Sequence, residues 1–302
     1  MSSFADSQFR SGRENDIIYD FCISKDGKHL FVPIGNNIEI WDIQKYSLER
    51  SIITGQPAPI LAIDVSHSGE YFVTCAKDSS MVIRNIGQEM KTVLINHLKY
   101  LITAVRYSPN DSILATATSN GSITLWGSSV IEPKLVIKGH TGDITDIEFI
   151  NNSQIISSSA DHYIIIWDIF TGKVVTKWKA GNNWIRDVSI NDSRSTVISC
   201  GDDGKIRRWN IIDSGNVSEI SQDRICFNWL MSCDFYDEIT FAVAGHNKIV
   251  NIYFPYGRYR YNVNSYINKV LFLHGKKSLS IAVATQGSGL LIIDSKNMKA
   301  VN

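Results

Sequence analysis

Three residues in the middle of the chain, His140, Ser157 and Asp161, have the side chains of a hydrolase triad. In such a triad the histidine accepts the serine proton and the carboxylate orients the histidine. A structural interpretation competes with this one, because polar side chains buried in a sheet need hydrogen-bond partners and an unpaired donor costs about 1–3 kcal/mol. The elements that carry the three residues decide between the two interpretations.

Further catalytic and metal-binding signals are missing from the sequence. It contains no His-Glu-x-x-His, no nucleophile elbow and no carboxylate motif typical of acid–base catalysis, and most of its histidines stand singly in turn-like contexts. The five cysteines form no Cys-x-x-Cys and are odd in number, so we expect free thiols in a reducing compartment. We therefore expect no enzyme, no metal and no cofactor.

The segment from Tyr253 to Tyr261 interleaves aromatic residues with arginines. That pattern can stack bases and meet phosphates, as in an RNA contact. It can also form an exposed edge strand with cross-strand aromatic pairs, and the alternation of Tyr259 and Tyr261 around Arg260 favours the strand. The 30 Lys and Arg balance the 30 Asp and Glu, so no basic excess drives phosphate binding. Nucleic acid is therefore a less favoured partner than protein.

Membrane insertion is not expected. Residues 1–16 are polar and lack the apolar segment of a signal peptide, and no stretch approaches the about 20 apolar residues of a membrane-spanning helix. We expect an intracellular protein, either cytoplasmic or nuclear.

The elements around the candidate triad repeat along the chain. From Gly139 to Asp168 the sequence opens with Gly-His, closes with Trp-Asp and contains three short β-prone runs, and a fourth run ends at Trp178. Four short strands in a repeat of about 42 residues are typical of one β-propeller blade. The closing position recurs at Trp41, Arg84, Trp126, Trp167, Trp209, Tyr253 and Ile293.

The Gly-His and Trp-Asp signatures make the chain resemble the Trp-Asp (WD) repeat family of β-propellers, over nearly its whole length. The resemblance is strongest in the fourth unit. It implies that His140, Ser157, Asp161 and Trp167 form a hydrogen-bonded structural tetrad inside one blade. The other units match in part, at Trp41, at Thr74 and Asp78, at Thr116 and Trp126, and at Ser199, Asp203 and Trp209.

The predicted architecture is all-β, a single domain over residues 1–302 that forms a seven-bladed propeller of four-stranded antiparallel blades. Approximate blade limits are 14–54, 55–97, 98–139, 140–181, 182–222, 223–264, and 265–302 together with 3–10. Too few residues follow Ile293 for an outer strand and its turn. We therefore expect Phe4–Arg10 to supply the outer strand of the last blade, ahead of an inner strand over Ile17–Ile23. The N-terminal strand thus closes the ring and removes an open edge.

The resemblance and the missing catalytic motifs favour a non-catalytic scaffold for protein–protein interaction, as a subunit of an intracellular multiprotein complex. Two alternatives stay open: an RNA-contacting subunit of a ribonucleoprotein, and a hydrolase whose site lies at the channel mouth. The hydrolase would need carboxylates or histidines that converge there.

The predicted partner site lies on the top face, which in the family is formed by the loops before the inner strands and the turns between second and third strands. Its residues are Asp143, Trp184 and Asp202. Trp184 would anchor the contact unless it packs beneath its own loop. The carboxylates would select a basic group, so a Lys- or Arg-bearing segment is expected.

Arg208 is the only charged residue directly before a closing position. We expect it to pair with Asp202 or Asp203, since a buried guanidinium without a partner is costly. The alternative is that it reaches the channel and binds an acidic group.

Overall fold

The structure, a computed structural model, describes residues 10–11, 17–87, 92–127, 133–212, 216–274, 279–294 and 299–301. Within these ranges the strands form seven antiparallel sheets and no helix occurs, so no helix there is able to cross a membrane. In chain order the strands are β1 (Arg10–Ser11), β2 (Cys22–Ile23), β3 (His29–Ile34), β4 (Asn37–Asp42), β5 (Ser47–Ile53), β6 (Ile60–Val65), β7 (Tyr71–Ala76), β8 (Ser80–Asn85), β9 (Thr92–His97), β10 (Ile102–Tyr107), β11 (Leu114–Thr118), β12 (Ser122–Trp126), β13 (Pro133–Lys138), β14 (Ile144–Phe149), β15 (Gln154–Ser159), β16 (Tyr163–Asp168), β17 (Val174–Lys179), β18 (Ile185–Ile190), β19 (Thr196–Gly201), β20 (Lys205–Ile212), β21 (Asn216–Arg224), β22 (Leu230–Phe235), β23 (Phe241–Gly245), β24 (Ile249–Phe254), β25 (Gly257–Asn262), β26 (Ile267–Phe272), β27 (Ser280–Thr285), β28 (Leu290–Asp294) and β29 (Lys299–Val301).

Each sheet is one blade, and its strands follow one another along the chain. Blades 1 to 6 begin at β2, β6, β10, β14, β18 and β22, and blade 7 combines β26, β27 and β28 with β1. The first strands of successive blades contact each other and line a central channel. The predicted seven-bladed, all-β propeller is confirmed. We call the end of the propeller at which loops enter the first strands the top face.

The residues at the closing position pack the blades together. Trp126 of blade 3 lies in one cluster with Val73 of blade 2, and Trp167 of blade 4 lies in one cluster with Ile137 of blade 3. Such an indole removes a large apolar area from water, at about 25 cal/mol per Å². A register shift directly before the closing residue recurs in blades 1 to 5 and adds the local twist that turns each blade against the next.

The ring closes at the N-terminal side of the chain, and the inner strand of blade 1 is shorter than predicted. Arg10 and Ser11 pair with Leu291 and Leu290 of β28. Residues 4–9 of the predicted closing strand lie outside the described residues. The predicted inner strand over Ile17–Ile23 is wrong in its extent, since only Cys22–Ile23 pair within blade 1. The reason is that the Ile17 segment pairs with blade 7 instead, through a bridge to Gln286.

The aromatic–arginine run forms the third and fourth strands of blade 6, but β25 is not the exposed edge strand that we expected. Lys299–Val301, which the approximate limits assigned to blade 7, pair with β25 and make this sheet five-stranded. Cross-strand aromatic contacts are present: the rings of Phe254 and Tyr259 meet edge-on, with centroids 5.2 Å apart.

Candidate functional site

The four residues of the predicted tetrad meet inside blade 4. His140 Nδ1 lies 2.8 Å from Asp161 Oδ2, and His140 Nε2 lies 2.8 Å from Ser157 Oγ. Trp167 Nε1 donates to the same Ser157 Oγ at 2.8 Å. Hydrogen bonds from His140 and from the Thr141 and Tyr163 amides hold the pKa of Asp161 below its usual range, although burial opposes them. The His140 side chain and Ser157 are fully buried, so a substrate has no access to the serine.

The partly matching units keep pieces of this chain of hydrogen bonds. Trp126 Nε1 donates to Thr116 Oγ1 at 3.0 Å, and Trp209 Nε1 donates to Ser199 Oγ at 2.9 Å. In blade 1, Trp41 Nε1 donates to Glu39 of the same strand, at 2.8 Å.

Blade 2 replaces the tetrad histidine and tryptophan with residues that we did not predict. Thr74 donates to the Gln56 side chain at 2.6 Å, and Gln56 donates to Ser80 at 2.9 Å, which in turn contacts Asp78. Arg84 occupies the closing position and donates to the Thr54 carbonyl. The sequence signal was weak, because a glutamine after Gly55 does not resemble a Gly-His pair.

Arg208 does not make the predicted ion pair. Asp202 accepts both of its hydrogen bonds from Arg186, at 2.6 and 2.7 Å, and Asp203 accepts from Arg207 at 2.6 Å. Arg208 lies on β20 and faces the next blade, where its guanidinium stands 5.6 Å from the Phe241 ring centroid. Neighbouring strand residues point to opposite faces, so the adjacent Arg207 takes the carboxylate.

Carboxylates converge in the channel, which the sequence did not indicate. At each junction between blades a side chain near the channel bonds to the next blade. Five of these side chains are carboxylates that accept a backbone N–H: Asp20 from Ile63 (3.1 Å), Asp64 from Tyr107 (2.7 Å), Glu148 from Ile190 (3.1 Å), Asp187 from Cys233 (2.9 Å) and Asp234 from Phe272 (2.8 Å).

Two other side chains complete this set of junctions. Arg106 of blade 3 donates to Asp146 of blade 4 at 3.0 Å, and Asn268 of blade 7 donates to the Ile18 carbonyl at 2.8 Å. For Asp64, Glu148 and Asp234, the signal in the sequence was an acidic residue before the last apolar residue of the first strand. Taken singly, each looked like an ordinary polar position of an alternating strand.

Burial shifts four of the carboxylates near the channel towards their protonated forms. It raises the pKa of Asp64 to about 6, of Asp146 and Asp234 to about 7, and of Glu148 to about 8, with Arg106 and the backbone donors opposing it. Such groups can exchange protons near neutral pH. In the described part of the chain, no three His, Cys, Asp or Glu residues are arranged to hold a metal ion.

The predicted partner residues lie around the top of the channel. Asp143 and Trp184 line the same cavity of about 290 Å³ at the channel mouth, and Trp184 is 38% exposed. Asp202 is not part of this lining, and both of its carboxylate oxygens accept hydrogen bonds from Arg186, which is part of it. The Arg186 guanidinium lies 4.5 Å from the Trp184 ring centroid and 5.5 Å from that of Trp229, which sequence analysis did not single out.

The fold and these hydrogen bonds define a seven-bladed propeller whose blades are joined by buried polar side chains. A sequence profile of the family described as "WD domain, G-beta repeat" matches residues 48–85, 88–127, 131–168 and 172–210, together just over half of the chain. The chain therefore belongs to the WD-repeat family. Each matched unit starts near the outer strand of one blade and ends at the closing position of the next.

Curated proteins with related sequences carry names of multiprotein assemblies. The chain is 24% identical to "COMPASS component SWD3" of Saccharomyces cerevisiae over 63% of the chain and 63% of that protein. It is 25% identical to "Guanine nucleotide-binding protein subunit beta" of the same yeast, over 73% of the chain and 54% of that protein. It is 23% identical to "Polyadenylation factor subunit 2" of Candida albicans, over 58% and 34%. The chain thus spans from about a third to under two thirds of these relatives' lengths.

Proposed function

We propose that the protein is a non-catalytic interaction subunit that holds a partner protein on its top face, around blades 4 and 5. The observation that carries this proposal is the exposed Trp184 beside the channel-mouth cavity. A partly exposed tryptophan on a firmly held loop offers apolar area to a partner at a low cost in entropy. Family membership supports the proposal, since similar proteins are named as components or subunits of assemblies.

The three predicted residues have different roles in this proposal. Trp184 is the anchor, and Asp143, on the rim of the same cavity, makes a second contact to a segment that crosses the channel mouth. Asp202 acts through Arg186: it holds the guanidinium beneath the Trp184 ring and is no longer free to select a basic group of the partner.

The polar networks inside the propeller are structural in this proposal. Buried His140, Ser157, Asp161 and Trp167 satisfy one another, and the channel carboxylates bond to neighbouring backbone. We also propose an intracellular site of action, because all five cysteines are free thiols.

The test is Trp184→Ala, compared with Tyr256→Ala in the β24–β25 turn at the opposite end of blade 6. Partners recovered from the native cell by the tagged wild-type protein and identified by mass spectrometry should fall at least about tenfold for Trp184→Ala, the equivalent of about 1.4 kcal/mol. They should stay at wild-type level for Tyr256→Ala. Circular dichroism should show both variants folded, and equal recovery by both would exclude a site at Trp184.

A further inference from the structure

Four exposed aromatic residues lie on the loops that enter the first strands of blades 5, 6 and 7. Trp184 is 38% exposed, Phe227 94%, Trp229 45% and Tyr266 43%. His246 connects two of them, with its ring centroid 5.2 Å from that of Trp229 and 4.8 Å from that of Tyr266. Single apolar side chains are common on surfaces, whereas a group of them on one face is typical of an interaction site. We call these four residues the aromatic surface.

Trp184 and Trp229 are held by the same hydrogen bond in two successive blades. In each case the preceding asparagine side chain accepts the backbone N–H of the tryptophan, at 2.9 Å for Asn183 and 2.8 Å for Asn228. The Asn228 side chain also donates to the carbonyl of His246, at 3.2 Å. The dipeptide Asn-Trp therefore recurs directly before the first strands of blades 5 and 6, and its hydrogen bond fixes the backbone from which each indole projects.

A glycine lets each of these loops approach the second strand. A Cβ on Gly201 would lie 2.1 Å from the Trp184 carbonyl oxygen, and one on Gly245 would lie 2.3 Å from that of Trp229. Only glycine allows that approach without a shift of the backbone. The backbone position of each tryptophan is thus fixed in the absence of a partner.

Arg186 joins the two indoles, and its charge is already compensated. Its guanidinium lies between the Trp184 and Trp229 rings and is held by two hydrogen bonds to Asp202. Cation–π contacts of this kind are attractive and hold the guanidinium against the two rings. Arg186 therefore stiffens the surface and leaves little net charge on it.

Two other cations next to the aromatic surface are not compensated. Lys248 Nζ lies 4.8 Å from the ring centroid of Tyr266, and the Arg224 guanidinium lies 5.1 Å from that of Phe227. Among the described residues, no carboxylate lies within ion-pair distance of either side chain. Arg224 also donates to the backbone carbonyl of Asp203 at 3.2 Å, and both cations are available to pair with negative charge on a partner that covers these rings.

On the basis of the proposed function, we propose that the aromatic surface binds a segment of the partner protein in which acidic residues flank an aromatic or branched apolar residue. The apolar residue packs between the exposed rings, and the flanking carboxylates pair with Lys248 and Arg224. Charge complementarity of this kind contributes mostly to specificity and association rate. The inference replaces the expectation of a Lys- or Arg-bearing segment, because Asp202 is already paired with Arg186.

A single-stranded RNA fits the same surface less well. RNA needs a positively charged groove that follows its phosphates for several nucleotides. Here Arg186 is neutralised by Asp202, and at the adjoining channel mouth Arg106 is paired with Asp146 while Asp143 adds a further carboxylate. The surface therefore offers two separate unpaired cations, Lys248 and Arg224, rather than the continuous positively charged groove that a phosphate backbone needs.

The experiment is a selection of phage-displayed random peptides on the folded protein, with Trp229→Ala as the counter-selection. Selected sequences should be enriched in Asp and Glu around an aromatic or branched apolar residue. A fluorescein-labelled selected peptide should bind Arg224→Glu/Lys248→Glu at least about tenfold more weakly than the wild type. The matched charge control is Lys25→Glu/Lys173→Glu, in turns at the opposite end of the blades, and should bind like the wild type.

Several outcomes would overturn the inference. They are enrichment of basic peptides, no enrichment, equal binding by both charge-reversed variants, and preferential retention of a random single-stranded RNA pool assayed in parallel. Any of these outcomes leaves the proposed function supported, provided that Trp184→Ala still recovers less of the native partner than the wild type. Unchanged partner recovery by Trp184→Ala, with acidic peptides selected, would overturn the proposed site and leave the peptide chemistry intact.

Discussion

The side chains of His140 and Asp161 illustrate how residue type alone misleads. With Nδ1 protonated, His140 donates to Asp161 and accepts from Ser157, the same order of contacts as in a hydrolase triad. The difference is that Trp167 also donates to Ser157 and that the serine is fully buried. Hydrogen bonds in such surroundings matter mainly because losing one partner leaves the other unsatisfied.

At this scale we predict that Asp161→Ala lowers the free energy of unfolding by about 1–3 kcal/mol. His140 Nδ1 and the backbone amides of Thr141 and Tyr163 would lose their acceptor. Urea denaturation followed by tryptophan fluorescence measures the change. Asp143→Ala is the control, since that carboxylate lines the open channel mouth, and it should leave the midpoint nearly unchanged. Equal midpoints for both variants would contradict a structural tetrad.

At the scale of the elements, the two terminal strands differ in the edge that each covers. Among the described residues, Arg10 and Ser11 of β1 pair with β28, which would otherwise have an open edge in blade 7. β29 adds to a blade that already has four strands. Loss of the N-terminal strand should therefore matter more than loss of the C-terminal one.

We predict that deleting residues 1–12 destabilises the propeller more than deleting residues 299–302. The first deletion should lower the free energy of unfolding by about 1–3 kcal/mol through lost hydrogen bonds and should promote aggregation. Thermal unfolding and light scattering of both truncated proteins measure the difference. A first truncation that melts at the wild-type temperature would disprove closure by the N-terminal strand.

At the scale of the whole molecule, the ring is held together by one polar contact near the channel at every junction. Four of the carboxylates involved in or next to these contacts, Asp64, Asp146, Glu148 and Asp234, have raised pKa values because they are buried. A carboxyl whose pKa is higher in the folded than in the unfolded state binds more protons when folded. Its stabilising contribution is complete below the unfolded pKa and is lost as the pH rises through the folded pKa.

The free energy of unfolding should therefore fall as the pH rises from about 5 to about 8. Glu148→Gln keeps an acceptor for the Ile190 amide but removes one titrating group. Its pH slope should be shallower than that of the wild type by up to about one proton. Urea denaturation at several pH values measures the slope. Glu219→Gln on the exposed strand β21 serves as the control, and identical slopes for both variants would refute the assignment to Glu148.

The sequence by itself determined the repeat and the number of blades, and its resemblance to the WD-repeat family implied the residues that meet in blade 4. These depend on local period and on motifs within one blade, where contacting residues are close along the chain. Trp184 was predicted on the same basis, as an aromatic at a loop-to-strand junction. The pairing of Arg208 was predicted wrongly, because the direction of alternate strand side chains decides between Arg207 and Arg208.

Only the tertiary structure decided which side chains contact each other between neighbouring blades. Asp64 and Tyr107 are 43 residues apart, as are Asp20 and Ile63, and such contacts have no local pattern. The same holds for Arg186, which reaches the neighbouring blade to touch Trp229. Arg186 is bonded to Asp202, so the Asp202 carboxylate, which sequence analysis expected to bind a partner protein, is not free to do so. The physical reason is that the charge and exposure at a junction between blades depend on which side chains the folded chain brings close together. A periodic sequence pattern specifies only the face of its own strand on which each side chain lies.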